Sequence, residues 1–82
     1  MRIEWDEPKR QLNLAKHGLD FASLSEEWFV DAHIERARTP RWKATGEFEG
    51  RLVVVVIFQT LGSEAFSVIS MRRASQKERS RS

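Results

Sequence analysis

Positions 52–58 read LVVVVIF, seven apolar residues in a row with β-branched side chains at most of them. Such side chains are stiff at χ1 and pack well on a pleated surface. An apolar run that presents no polar side predicts a strand covered on both faces, hence one in the middle of a sheet. It is the longest unbroken apolar run in the chain and falls far short of the roughly 20 residues that cross a bilayer as a helix. The chain must therefore supply neighbouring strands and a layer to cover them.

Candidates for those neighbours flank the run. Residues 30–35, VDAHIE, alternate apolar and polar and predict a half-buried strand. Pro40 interrupts, residues 41–45 predict a further strand, and GEFEG at 46–50 predicts a hairpin loop into the central run. Gly62 and Ser63 mark a turn before a last strand over 66–72. Simple alternation puts Phe66, Val68, Ser70 and Arg72 on one face, and Ser67, Ile69, Met71 and Arg73 on the other. Residues 2–5 are short and suit an edge strand.

Helix signals lie at both ends. Asp6 predicts an N-cap, with Glu7 and Pro8 in the first turn. The helix it opens should run to about His17, turning Leu12 and Ala15 to the core and Lys9, Arg10 and Asn13 to water. Lys16 and His17 occupy the last turn, where positive charge suits the carbonyl end, and Gly18 stands where a left-handed residue is wanted. A second helix is expected over 21–28, capped by Asp20, stapled by Leu19 and Leu24, and burying Phe21, Leu24 and Trp28. Ser75-Gln76-Lys77-Glu78 matches a capping box and predicts a short C-terminal helix, polar on every side.

Eighty-two residues make one domain spanning 1–82, burying only ~60–65% of the surface its unfolded chain exposes. With 40% hydrophobic and 32% charged residues the composition is that of a globular protein. Cysteine is absent, which removes disulfides and thiolate chemistry. The first residues lack the apolar core of a signal peptide, so a cytoplasmic protein with no membrane association is expected. The net charge of +2 is unevenly spread. The last eleven residues hold Arg72, Arg73, Lys77, Arg79 and Arg81 against Glu78, while the remainder is slightly acidic. A basic end of this kind suits an anionic partner, because each cation placed on a phosphate releases counterions.

No glycine-rich phosphate loop is present, the four glycines being scattered. His17 and His33 have no metal-ligand spacing around them, and no cofactor or metal is expected. What remains for chemistry is Arg72-Arg73 at a strand end, the basic helix start behind it, and Trp42 between Arg41 and Lys43, an arrangement able to stack an unpaired base. Arginine suits phosphate because its planar fork donates two parallel hydrogen bonds. Adjacent strand residues point to opposite faces, however, so Arg72 and Arg73 converge on one anion only if the strand has ended before them.

Three stretches in order, EWDEPKRQLNLAKHGLDF, RWKATGEFEGRLVVVV and VISMRRASQKERSR, resemble the BrnT family of bacterial toxins. There Trp-Asp, Asn-x-x-Lys-His-Gly, an Arg-x-x-x-x-Gly hairpin with a valine-rich strand, and Ile-Ser-x-Arg-Arg-Ala recur together. The resemblance implies a small α+β domain like the RelE-type ribonuclease toxins, with N-terminal helices packed on a mostly antiparallel sheet and a short C-terminal helix. It implies a ribonuclease that inhibits translation, neutralised by a BrnA-like ribbon-helix-helix antitoxin, with operator DNA bound only through the complex. The chain departs from the family in having no tyrosine, which members often carry soon after the Glu-Arg pair, and in Met71, where a small residue is usual.

Metal-free RNA cleavage needs a group to take the 2′-hydroxyl proton, cations for the charge that builds on phosphorus, and a proton for the leaving oxygen. On this footing His17 is expected to act as acid or base, Lys16 as an electrostatic helper, and Arg72 and Arg73 as a phosphate clamp. Glu78 either orients an arginine or serves as the base. Arg41, Trp42, Lys77 and Arg79 are expected to bind RNA. A site on His17 requires the first helix to end where the arginine strand ends. A catalytically inactive antitoxin-binding relative and an RNA-binding protein that does not cleave are the alternatives.

Overall fold

In the computed structural model, residues 1–80 are described; Arg81, counted in the basic end, lies outside them. The elements are β1 (Arg2–Trp5), α1 (Glu7–His17), a 3-10 turn at Phe21–Ser23, α2 (Glu26–Asp31), β2 (His33–Arg36), β3 (Trp42–Phe48), β4 (Leu52–Leu61), β5 (Ala65–Arg73) and α3 (Gln76–Arg79). They form one five-stranded sheet in the order β1-β5-β4-β3-β2. Only the β1–β5 pair is parallel. The valine-rich strand is central and β1 is an edge, as the sequence predicts. Leu19, Phe21, Leu24 and Phe29 pack on Ala44, Phe48, Val54, Val56, Phe58, Val68 and Met71 to make the core, so the helical layer covers one face of the sheet. The other face carries Val53, Val55 and Ile57 among polar side chains, and α3 docks on it through Glu78.

Several expectations are corrected. The second helix divides: Asp20 caps only a 3-10 turn, Leu24 is extended, and Ser25 opens α2 by accepting from the Trp28 amide at 3.2 Å. A cap with Glu26 and Glu27 behind it is the better helix start, because the acids complement the positive end of the dipole and the serine satisfies an orphan amide. Val30 and Asp31 therefore close α2, and β2 begins only at His33. The expected loop at 46–50 shrinks, since β3 continues to Phe48. Gly46 lies inside that strand because Ala32 and Trp28 press on it; a side chain there would meet Ala32 at 3.4 Å.

The faces of β5 also change partway along. Ile57 pairs with Ser70 but Phe58 pairs with Val68, so Ile69 is an extra residue in a β-bulge. The bulge puts Val68 and Met71 together in the core and carries Arg72 to the opposite face, in register with Val55.

α1 is inverted relative to its expected orientation. Leu12 is 70% exposed and Ala15 is exposed, whereas Asn13 is only 8% exposed. The cause is an edge. β1 pairs with β5 only as far as Val68, so the backbone of β5 beyond it lacks a strand partner on that side. Asn13 fills the gap: its side-chain carbonyl accepts from the Met71 amide at 3.1 Å, and its Nδ2 donates to the carbonyls of Met71 at 2.9 Å and Leu19 at 3.0 Å. Buried backbone groups must be paired, and a primary amide is the side chain able to do for a strand edge what a strand would do. Arg10 is likewise drawn inward, bonding Glu7 and, at 3.0 Å, Asp20. The Arg10 guanidinium, then the Gln11 amide and the Trp5 indole, hold the Glu7 carboxyl at about 2.

Replacing Asn13 with Ala strands these backbone groups, and a loss of about 2–4 kcal/mol is expected in urea unfolding. Asn13→Asp, nearly the same shape, should lose at least as much, because a carboxylate would face two carbonyl oxygens. A change below about 0.5 kcal/mol in either variant contradicts the edge-pairing account. Gly18, at φ 70° with open space around its Cα, should cost about 1 kcal/mol as Ala, from backbone strain alone. The Glu7 contribution to stability is complete above the ordinary glutamate value and is lost as pH falls through about 2. A side-chain carboxyl titration by NMR with a midpoint near the ordinary value would show the Glu7–Arg10 contact to be absent in solution.

Candidate active site

α3 contains only Gln76–Arg79, too short to be stable alone, and it is held by its cap and its charges. Ser75 Oγ accepts from the Glu78 amide at 3.2 Å, and Glu78 Oε1 accepts from the Ser75 amide at 2.8 Å, which is the expected capping box. The box aims the Glu78 carboxylate down onto the sheet. There it takes both arms of Arg72, at 2.8 and 3.0 Å, and the Lys43 ammonium at 2.6 Å. The Glu78 side chain is 14% exposed, and Arg72 first, then Lys43 and the Ser75 amide, hold its carboxyl well below the usual carboxylate range. A carboxylate held so low is a poor proton acceptor at neutral pH. Its chemical effect is to fix two cations in place.

The same register extends across the sheet. Arg72 pairs with Val55, Val55 with Thr45, and Thr45 with His33, one residue from each of four strands in a single row. Val55 and Thr45 form a buried floor between the outer two. Lys43 and Glu35, paired with each other one step further along β3 and β2, share this face; the Lys43 Nζ lies 4.0 Å from Glu35, and His33 Nε2 lies 3.9 Å from the other Glu35 oxygen. Beside the row a concavity of about 600 Å³ is lined by His33, Thr45, Glu47, Arg51, Val53 and Arg79 among others. Arg72 spends three of a guanidinium's five donor positions on Glu78 and the Arg73 carbonyl. Its side chain is 40% exposed, so the rest can meet a phosphate from solvent.

The other expected residues are distributed differently. β5 does not end before Arg73, so Arg73, in register with Val54, shares the core-side face and Arg72 does not. α1 does reach the end of β5, through the Asn13–Met71 bonds. His17 lies one turn beyond Asn13, half-buried, and neither it nor the exposed Lys16 makes a side-chain hydrogen bond or ion pair among the described residues. Arg41 is exposed before β3, about 13 Å along the strand direction from Thr45. Trp42 packs against the core with the Arg36 guanidinium 5.0 Å from its ring centroid, so one face of the ring is already occupied. Lys77 is exposed on α3, and Arg79 lines the concavity. Lys43, Glu35 and His33 are additions the sequence reading missed. Alternation would put 33 with 35 and 43 with 45, but only the register of β2, β3, β4 and β5 together reveals that both sets share a face with Arg72.

Residues 5–78 match the profile of a family described as ribonuclease toxin, BrnT, of type II toxin-antitoxin system. A crystal structure of the Brucella abortus ribonuclease toxin BrnT superposes with a TM-score of 0.88 at 58% sequence identity, over 93% of this chain and 99% of that one. Among curated proteins there is no match. The profile spans nearly the whole domain, including the cap, bulge and arginine strand described above, and the chain belongs to the BrnT family of ribonuclease toxins of type II toxin–antitoxin systems.

Proposed function

We propose that this chain cleaves RNA on the open face of its sheet, with the scissile phosphate on Arg72 and Lys43. The observation that carries this reading is the Glu78 carboxylate, which holds both cations at hydrogen-bond distance over a row of small, buried side chains. Cations fixed in advance stabilise the charge that develops on phosphorus without reorganising during the reaction. Glu78 is a positioning residue in this scheme. Arg79 and Lys77 on α3 guide the RNA backbone, and Arg41 with Trp42 contacts RNA away from the cleaved bond. Arg73, Lys16 and His17 border the other side of the β5 end, where they meet RNA as it leaves the open face. The reaction uses no cofactor.

Membership of a type II system brings a protein antitoxin as partner. We take it to be a ribbon-helix-helix protein of the BrnA kind that covers this face, with operator DNA bound through the complex and RNA cleaved in the cytoplasm. The described residues include no helix long and apolar enough to cross a membrane.

Arg72→Ala should lower kcat for cleavage of a short RNA by about 10²–10³-fold, with the urea midpoint showing the fold retained. Arg73→Ala should mainly weaken RNA binding and reduce its salt dependence by about one phosphate contact. Equal losses of kcat would show that the two arginines act as one clamp. Cleavage should survive dialysis against EDTA; its loss and restoration by added metal would contradict the cofactor-free chemistry. For Glu78 the linkage sign is that of a depressed carboxyl: its ion pairs are complete above the ordinary glutamate value and are lost only as pH falls toward its lower folded value. Activity should therefore show no loss near pH 4.5 traceable to Glu78, and Glu78→Gln should lower kcat at neutral pH with a smaller change in KM. A Glu78→Gln enzyme with unchanged kcat would remove the carboxylate from the site.

A further inference from the structure

We propose that His33 is a catalytic residue of this ribonuclease, the base that takes the proton of the 2′-hydroxyl. The inference rests on the open-face reading and assigns the proton-transfer group that reading lacks. Glu78 is committed to cations, and no contact joins His17 to Arg72 or Glu78.

The placement is geometric. His33, Thr45, Val55 and Arg72 form one row across four adjacent strands, which sets the His33 and Arg72 backbones roughly 14 Å apart. Thr45 and Val55 between them are short and buried, so the side chains that reach solvent along this row are those at its two ends. In this arrangement the phosphate lies on Arg72 and the ribose toward His33. The imidazole is 48% exposed and lines the 600 Å³ concavity beside the row, so the 2′-oxygen can reach it.

Charged groups approach His33 from several elements. From its own strand Glu35 lies 3.9 Å away, beyond hydrogen-bond distance, so it does not fix the ring. Asp31 at the end of α2 and Glu47 on β3 line the same concavity. Arg51 in the β3–β4 turn and Arg79 on α3 line it too, while Lys43 and Arg72 are held by Glu78. The nearest charged group to the imidazole is thus an acid on its own strand, and the cations fixed by Glu78 stand at the phosphate end of the row.

The step balances. Neutral His33 accepts the 2′-hydroxyl proton while O2′ bonds to phosphorus. The P–O5′ bond breaks, its electron pair leaving on O5′, and that oxygen takes a proton from solvent water. The hydroxide so formed removes the proton from the imidazolium, restoring neutral His33. The products are a 2′,3′-cyclic phosphate and a 5′-hydroxyl.

The test is single-turnover cleavage of a short end-labelled RNA by the intact chain from pH 5 to 9, comparing wild type, His33→Gln, His17→Gln and Arg72→Ala. Each variant is first checked for folding by urea midpoint. His33→Gln is expected to lower the cleavage rate about 10²–10⁴-fold, with RNA Kd changed less than about threefold. It should also abolish the rise in rate across the range where imidazoles lose their proton. Wild-type product should carry a cyclic phosphate, and 2′-deoxy substitution at the cleaved position should block the reaction. A His33→Gln enzyme within about threefold of wild type, or a pH profile flattened by His17→Gln and retained in His33→Gln, overturns the assignment. Failure of the underlying reading looks different: Arg72→Ala would then cleave normally. If wild type forms no cleavage product, both fall.

Discussion

Asn13 spends its whole side chain on backbone. It closes the part of β5 that β1 does not reach, taking the amide and carbonyl of Met71, and it also holds the Leu19 carbonyl where the chain leaves α1. These contacts set which side of α1 faces the sheet, and they fix the segment just before Arg72. Leucines turn outward as a result. Burying a Leu would be worth about 1.5–3 kcal/mol, but leaving three backbone groups unpaired would cost at least as much. The polar inward face wins on that comparison.

Two residues before Met71 on β5, the bulge at Ile69 decides which way the chemistry points. Without an extra residue, Arg72 would share a face with Phe66 and Val68 and enter the core. With it, Met71 completes the apolar layer and Arg72 reaches the open face. Bulges commonly re-aim a side chain beside an active site, and here the change also separates Arg72 from Arg73. The two neighbours thus work in different surroundings, one against Glu78 and one on the helix side.

The two faces of the sheet divide stability from function. On the helix side, Phe29, Phe58 and Phe66 make edge and tilted ring contacts within an apolar layer, and that burial carries the fold. The ion pairs of the open face contribute less, since partly exposed pairs rarely exceed about 1 kcal/mol. Their value is positional. Glu78 docks a helix too short to stand alone and holds Arg72 and Lys43 ready for an anion. Removing it would loosen the site more than the protein.

Much was legible in the residues alone. LVVVVIF announced the central strand, Asp6 and Gly18 the limits of α1, and Ser75 with Glu78 the last helix, because each signal is local: a strand run, a cap, a left-handed glycine, a capping box. The motifs resembling BrnT pointed to the family for the same reason, being short strings in fixed order. What the residues could not reveal depends on partners distant in the chain. Helical periodicity treats Asn13 as a surface residue, and only an unpaired edge 58 positions away draws it inside. Alternation places Arg72 wrongly once a bulge intervenes. The approach of His33, Glu35 and Lys43 to Arg72 needs the register of four strands at once. The sequence by itself determined the elements and the kinship, since both reside in neighbouring residues. The tertiary structure decided which side chains share the open face, since hydrogen-bond completion at a sheet edge and strand register are properties of the assembled sheet.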